Sequence, residues 1–164
     1  AAILRPSTDP ARGILAARMG ADGARGKHIW IPAGGAREPA SHRTVDERLH
    51  FMKMQGREVY KFAVTMMSDI IAETAADAGV AVSDLALVVP HQSNLRIIES
   101  AAERVGLPLE RVLVNIDRYG NTSSASVPLA FHEARQAGRV RPGDLVMLVA
   151  FGAGLTWGSV LLRI

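Results

Sequence analysis

Apolar residues recur along this chain in two rhythms. Val59, Phe62, Ala63, Met66, Ile70 and Thr74 fall on one face at helical spacing, and Gly79 supplies the stop. Leu95, Ile98, Ala101, Ala102 and Val105 form a second amphipathic face, ended by Gly106 and Pro108. Residues 124–137 predict a third helix, with Pro128 tolerable only in the first turn and Gly138 just past the end. The other apolar stretches are short and continuous. Residues 85–89, between Asp84 and Pro90, predict a buried strand. Residues 145–151 are apolar on both faces, as in a central strand. Residues 112–116 and 155–164 are strand-like, and 28–31 form a short strand between loops at 7–12 and 32–39. The order strand, helix, strand, helix, strand, helix, strand, strand predicts an α/β fold, with helices covering a mixed sheet. Right-handed crossovers would bring Pro90, Asn121 and Gly152 to strand or loop ends that converge.

Composition narrows the function classes. With 164 residues, 48% hydrophobic and 21% charged, the chain has the makings of one ordinary core. It has no cysteine, which excludes disulfides, thiolate metal sites and a cysteine nucleophile within the chain. His28, His42, His50, His91 and His132 show no metal-ligand spacing, so no metal is expected. No apolar run reaches the roughly 20 residues of a membrane span, and the first six residues lack the apolar core of a signal peptide. A cytoplasmic location and no membrane contact are expected. The absent initiator Met suggests a processed, cut or truncated chain. Net charge is +3, with Arg43, Arg48, Lys53, Arg57 and Lys61 thickening one stretch without interleaved aromatics. Such a stretch fits a solvated face first, an acidic protein or phosphorylated ligand next, and nucleic acid poorly.

Three loops carry candidate chemistry. In Pro90-His91-Gln92-Ser93-Asn94-Leu95-Arg96, a histidine follows a buried strand and precedes a helix whose first N–H groups are free. Such a histidine can donate or accept a proton near neutral pH, or it can simply bond a carbonyl. In Gly120-Asn121-Thr122-Ser123-Ser124, Asn121 precedes a helix of small residues. An N-cap is the plain reading, but capping alone does not need so long a run of small and polar residues. Phe151-Gly152-Ala153-Gly154 has glycines as in a dinucleotide loop, yet a strand follows instead of a helix. A tight hairpin turn fits there, as does a bend that aims backbone N–H groups at an oxyanion.

Together these loops resemble the C-terminal signature of β-ketoacyl-acyl-carrier-protein synthase III, in the thiolase superfamily. The matching residues are Val89-Pro90-His91-Gln92, Asn94-Leu95-Arg96-Ile97-Ile98, Gly120-Asn121-Thr122-Ser123, Ala125-Ser126-Val127-Pro128 and the run from Phe151 to Gly158. Upstream, Met54, Gly56, Glu58-Val59-Tyr60-Lys61 and Ala63-Val64-Thr65 also match. Ser93 stands where Ala is common, Tyr119 where His is common, and Ala153 where Gly is frequent.

The resemblance implies a layered α-β-α-β-α architecture of which this chain is the C-terminal half. Residues 51–164 would be the C-terminal thiolase-like domain, and residues 1–50 the end of the N-terminal half with a linking segment. It implies a homodimer, and a decarboxylative condensation of an acyl-CoA primer (acetyl-CoA or a short branched acyl-CoA) with malonyl-acyl carrier protein. No cofactor is expected. His91 and Asn121 would be the catalytic pair, donating hydrogen bonds to the malonyl thioester oxygen as it becomes an enolate, an effect worth roughly 3–4 kcal/mol. The Ala153 backbone N–H would complete an oxyanion hole with a cysteine that this chain lacks. Gln92, Ser93, Asn94, Leu95 and Arg96 would meet the carrier protein or CoA. Gly56 and Tyr60 would border the pantetheine tunnel, and Phe151 the site near the cysteine.

Two other readings stay open. One is a non-catalytic half-subunit that binds CoA or a carrier protein, motivated by the missing cysteine. The other is a related thiolase-fold starter synthase for polyketides. In each case an isolated half would expose a large apolar surface, so the chain is expected to self-associate or to travel with its N-terminal half.

Overall fold

The structure, a computed structural model, describes residues 2–164. The first strand, β1 (Gly13–Ala21), leads to a small ribbon made by β2 (Ile29–Trp30). A one-turn helix, α1 (His42–Asp46), precedes β3 (Lys53–Met54), which pairs antiparallel with β2. Then come the long α2 (Gly56–Asp77), β4 (Leu87–Pro90) and α3 (Leu95–Arg104). A short turn of helix, α4 (Ile116–Tyr119), is followed by α5 (Ser126–Gln136), β5 (Leu145–Gly152) and β6 (Thr156–Arg163). The main sheet has the order β1-β6-β5-β4, with β4 and β5 parallel and the other pairs antiparallel. The mixed sheet flanked by helices is as the pattern predicts.

The two faces of the sheet are dressed differently. On one face α2 and α3 bury Ile70, Ile71, Ile98 and Ala101 against Val88, Met147, Val149 and Leu161. On the other, α5 packs Ala130 and Ala134 against Leu87, Val89 and Val146. Alternate residues of β5 therefore serve opposite cores, which is why its sequence is apolar throughout. α5 covers only part of its face. Beyond it, Ala17, Met19, Leu148, Ala150, Gly158 and Val160 line an open cleft.

Three expectations need correction. Residues 13–21 were not foreseen as a strand, yet they form the edge of the main sheet, registered from Gly13↔Arg163 to Ala21↔Thr156. Three alanines, two glycines and a central Arg18 give that segment a poor β signature. Tertiary contacts supply what it lacks, because Arg18 bridges to Glu73 at 2.6 Å and to Asp77, both on α2. Residues 112–116 do not make a strand. Val112 forms a single parallel bridge to Val88, and Leu113 N–H donates to Val88 O at 2.9 Å, after which the backbone turns into α4. The groups that would extend the ladder are taken by the Gln92 side chain. On α2 the core position is Met67, with Met66 half-buried at the margin.

Candidate functional site

Pro90 is the last residue of β4 and has no N–H to continue a ladder. The His91 N–H instead donates to Val149 O at 2.8 Å, so the histidine leaves the strand with its backbone still pinned to β5. Its ring is half-buried, edge-on to Phe151 with centroids 5.8 Å apart. Nδ1 lies 2.6 Å from Ser126 Oγ. Burial pushes the imidazole below the usual histidine range, so the ring is neutral at pH 7.

Gln92 differs from its expected place on a contact surface. It is 1% exposed, and all its side-chain hydrogen-bonding capacity is used inside the chain. Nε2 donates to Pro90 O at 2.8 Å and Leu113 O at 3.0 Å. Oε1 accepts from the Asn115 and Ile116 N–H groups at 2.9 and 3.1 Å. The side chain thus ties the loop after β4 to the segment that leads to Asn121. Asn115 extends the tie, donating to Glu133 on α5 at 2.8 Å, and Arg118 pairs with the same carboxylate. The hydrogen bond from Arg118, then that from Asn115, hold Glu133 below the usual carboxylate range.

Asn121 is exposed, and its Oδ1 accepts the Ser123 N–H at 2.9 Å. That bond assigns the amide orientation and leaves Nδ2 as the free donor. The loop turns sharply, with Gly120 at φ 68° and Ser123 at φ 56°. α5 then begins at Ser126, and Pro128 falls in its first turn, where its missing N–H costs no helical bond. At the third loop Ala153 sits exposed at the tip, and its carbonyl accepts the Thr156 hydroxyl at 3.1 Å. Its φ is not in the left-handed region; that conformation falls on Gly154, at φ 139°. Alanine at 153 therefore leaves the backbone N–H where a glycine would have it.

His91, Asn121, Phe151 and Ala153 line the same open cleft, of about 1170 Å³. Ser123, Ser124, Val127, Leu148 and Trp157 share its walls, which are mostly apolar. The remaining sequence candidates lie outside that lining. Asn94 caps α3 by accepting the Arg96 N–H at 2.9 Å, and its amide nitrogen stays free. Leu95 and Arg96 are exposed, and Ser93 buries a hydroxyl that has no hydrogen-bond partner. Gly56 opens α2 with free space where a Cβ would stand. Tyr60, one turn on, hydrogen-bonds Ser100 on α3 through its hydroxyl at 2.9 Å. The sequence reading missed the clamp role of Gln92 and the contact of Ser126 with His91. A serine at the start of a small-residue helix gave no periodicity signal, since a bond to a residue 35 positions away leaves no local trace.

No group of three or more His, Cys, Asp or Glu among the described residues is arranged to hold a metal ion. Nor is any described helix long and apolar enough to cross a membrane.

A family model described as 3-oxoacyl-[acyl-carrier-protein (ACP)] synthase III C terminal matches residues 75–164. The β-ketoacyl-[acyl-carrier-protein] synthase III of Symbiobacterium thermophilum is 54% identical over 163 residues, 99% of this chain and 49% of that protein. The chain spans about half the length of the curated relatives it matches. Among solved structures, the synthase III of Thermus thermophilus is 45% identical with a TM-score of 0.84, over 96% of this chain and 48% of its own. The priming β-ketosynthase of the R1128 polyketide biosynthetic pathway is 34% identical with a TM-score of 0.81, over 96% and 46%.

Proposed function

The chain belongs to the 3-oxoacyl-acyl-carrier-protein synthase III C-terminal family, and from that premise we propose that it supplies the malonyl-activating side of a condensing enzyme. The reaction joins an acyl-CoA primer, acetyl-CoA or a short branched acyl-CoA, to malonyl-acyl carrier protein with loss of CO₂. Loss of CO₂ leaves an electron pair on the thioester α-carbon, delocalised onto the thioester oxygen. His91 donates from Nε2–H and Asn121 from Nδ2–H to that oxygen. Both donors are uncharged, so they stabilise developing charge without binding the ground state as an ion pair. The primer is held as a thioester by a cysteine on the other half of the enzyme, its CoA having left as the free thiol. The enolate attacks that carbonyl, the Ala153 N–H faces the oxyanion that forms, and its collapse breaks the C–S bond and expels the cysteine thiolate. The carrier protein approaches across Asn94, Leu95 and Arg96, with Gly56 and Tyr60 beside the pantetheine. In this reading Gln92 is the clamp beneath that surface, and Ser93 lies within it.

The observation that carries the reading is the presence of His91 and Asn121 in the lining of one cleft, each with a side-chain nitrogen (Nε2 and Nδ2) that has no partner among the described residues. The test is to combine this chain with a cysteine-bearing N-terminal half and follow malonyl-carrier-dependent product. Restored condensation that His91→Ala or Asn121→Ala abolishes is the expected result. Condensation that survives both substitutions would sink the assigned roles.

Two further readings have an observation behind them. The similarity to a priming β-ketosynthase favours a polyketide starter synthase, and a screen of acyl-CoA chain lengths separates it from fatty acid initiation. The exposed Asn94, Leu95 and Arg96 also suit a half-subunit that binds CoA or a carrier protein without chemistry. For that reading, CoA or carrier protein binds the purified protein but no partner restores turnover.

A further inference from the structure

A neutral imidazole can carry its proton on either nitrogen, and the partner of one decides the state of the other. In His91 the Nδ1 side is enclosed. Ser126 is 2% exposed, and its Oγ stands 2.6 Å from Nδ1. The same oxygen accepts the Gln92 backbone N–H at 3.3 Å. A serine hydroxyl has one proton to give and two lone pairs to receive. Were Nδ1 protonated, Ser126 Oγ would accept two N–H groups, and its own proton would face a buried site with no acceptor. With Nδ1 bare, the hydroxyl donates to it, Oγ accepts from Gln92, and every group is satisfied. The unfavourable arrangement carries the cost of an unmade buried hydrogen bond, and the favourable one does not.

We infer that Ser126 is a positioning residue that holds His91 in the neutral Nε2–H tautomer, leaving its proton available to the cleft. The location of Ser126 suits the task. It is the first residue of α5, anchored in the core by Ala130 and Ala134, and it makes no capping hydrogen bond with its side chain. The hydroxyl is therefore not needed by its own helix, and alanine is well tolerated at a helix start of this kind. Nothing in the tautomer depends on condensation. Only the use of the Nε2 proton rests on the function proposed above.

The test is nitrogen NMR on protein labelled with ¹⁵N-histidine, as it purifies, with long-range proton–nitrogen correlations above pH 7. In the unaltered protein His91 should show a pyrrole-type Nε2 and a pyridine-type Nδ1 shifted by its hydrogen bond. In Ser126→Ala the Nδ1 signal should move to its unbonded position and an Nδ1–H form should appear, while Ser126→Thr should restore the original pattern. A pyrrole-type Nδ1 in the unaltered protein, or an Nδ1 signal unmoved by Ser126→Ala, overturns the inference. Should Ser126→Ala fail to fold, the tautomer of the unaltered protein decides. In the assembled enzyme Ser126→Ala should lower kcat about tenfold with KM unchanged. An unaltered kcat alongside the expected spectra would leave the tautomer assignment standing and remove its role in the reaction.

Discussion

The two loops that present His91 and Asn121 are built in opposite ways. His91 sits on a segment whose backbone is bonded to β5, whose next side chain is buried with four internal hydrogen bonds, and whose ring rests on a buried hydroxyl. Asn121 sits on an exposed bend held by one bond of its own side chain to Ser123, with left-handed backbone on both sides. Both reach one cleft. The contrast shows that one side chain is oriented by the core of this chain, whereas the other is oriented locally and stands open to whatever packs over that face. Stability and chemistry should therefore separate when the loops are altered one at a time.

The largest effect should come from Gln92→Ala. It orphans two N–H groups and two carbonyls in a buried site, and at about 1 kcal/mol each the loss is about 4 kcal/mol. Denaturant unfolding followed by circular dichroism measures it, and a loss under about 1 kcal/mol would mean that water replaces the clamp. Asn121→Ala should do the reverse. Folding stability should change by only about 0.5 kcal/mol, as for an exposed position. Condensation by the assembled enzyme should nevertheless fall on the order of 10²–10³-fold. Unfolding curves and a malonyl-carrier assay on the same preparation check both halves of that statement.

Smaller changes sharpen the comparison. Ser123→Gly should stabilise the protein by about 1 kcal/mol, because a left-handed φ that strains serine is free for glycine. The bond from the residue 123 N–H to Asn121 survives that substitution, so activity should hold while the thermal midpoint rises. The last test is pH. The folded-state pKa of His91 lies below its unfolded value, so the unfolded chain binds the proton first. The contribution is whole above the usual imidazole value of about 6.5, and it is lost as pH falls through the folded value. Unfolding free energies of the unaltered protein and His91→Asn, compared from pH 8 down to about pH 5, should converge as pH falls; parallel curves would count against a buried, neutral ring.

Much of this was legible because its causes are local. Helical spacing marks α2 and α3, the continuous apolar run marks β5, and Pro90 and Gly79 mark ends. His91, Asn121 and Ala153 were readable as candidates because polar or glycine-rich loops interrupt apolar segments. What escaped depends on partners distant in the chain. β1 is a strand because β6 offers it a ladder and α2 offers Arg18 two carboxylates. Residues 112–116 turn away from the sheet because a glutamine twenty residues earlier takes their backbone groups. A one-dimensional pattern holds no record of either. The same limit applies to Gln92, where a polar residue in a polar loop reads as surface until its four partners are seen.

The register of β1 on β6 also bears on how the chain is made. Gly13 is paired with Arg163 and Ala21 with Thr156, so the earliest strand of the sheet closes on the latest. During synthesis the segment from Gly13 to Ala21 must wait, unpaired, while nearly everything between is translated. β4, α3, α5 and β5 can assemble first, since their contacts are nearer in sequence, and β6 must then dock before β1 has an edge to join. Until that moment β6 presents an unsatisfied strand edge that another copy could capture. A ribosome slowed before residue 156 would hold a nascent sheet lacking two of its four strands, which makes the docking of β6 the step at which this sheet is most open to misassembly.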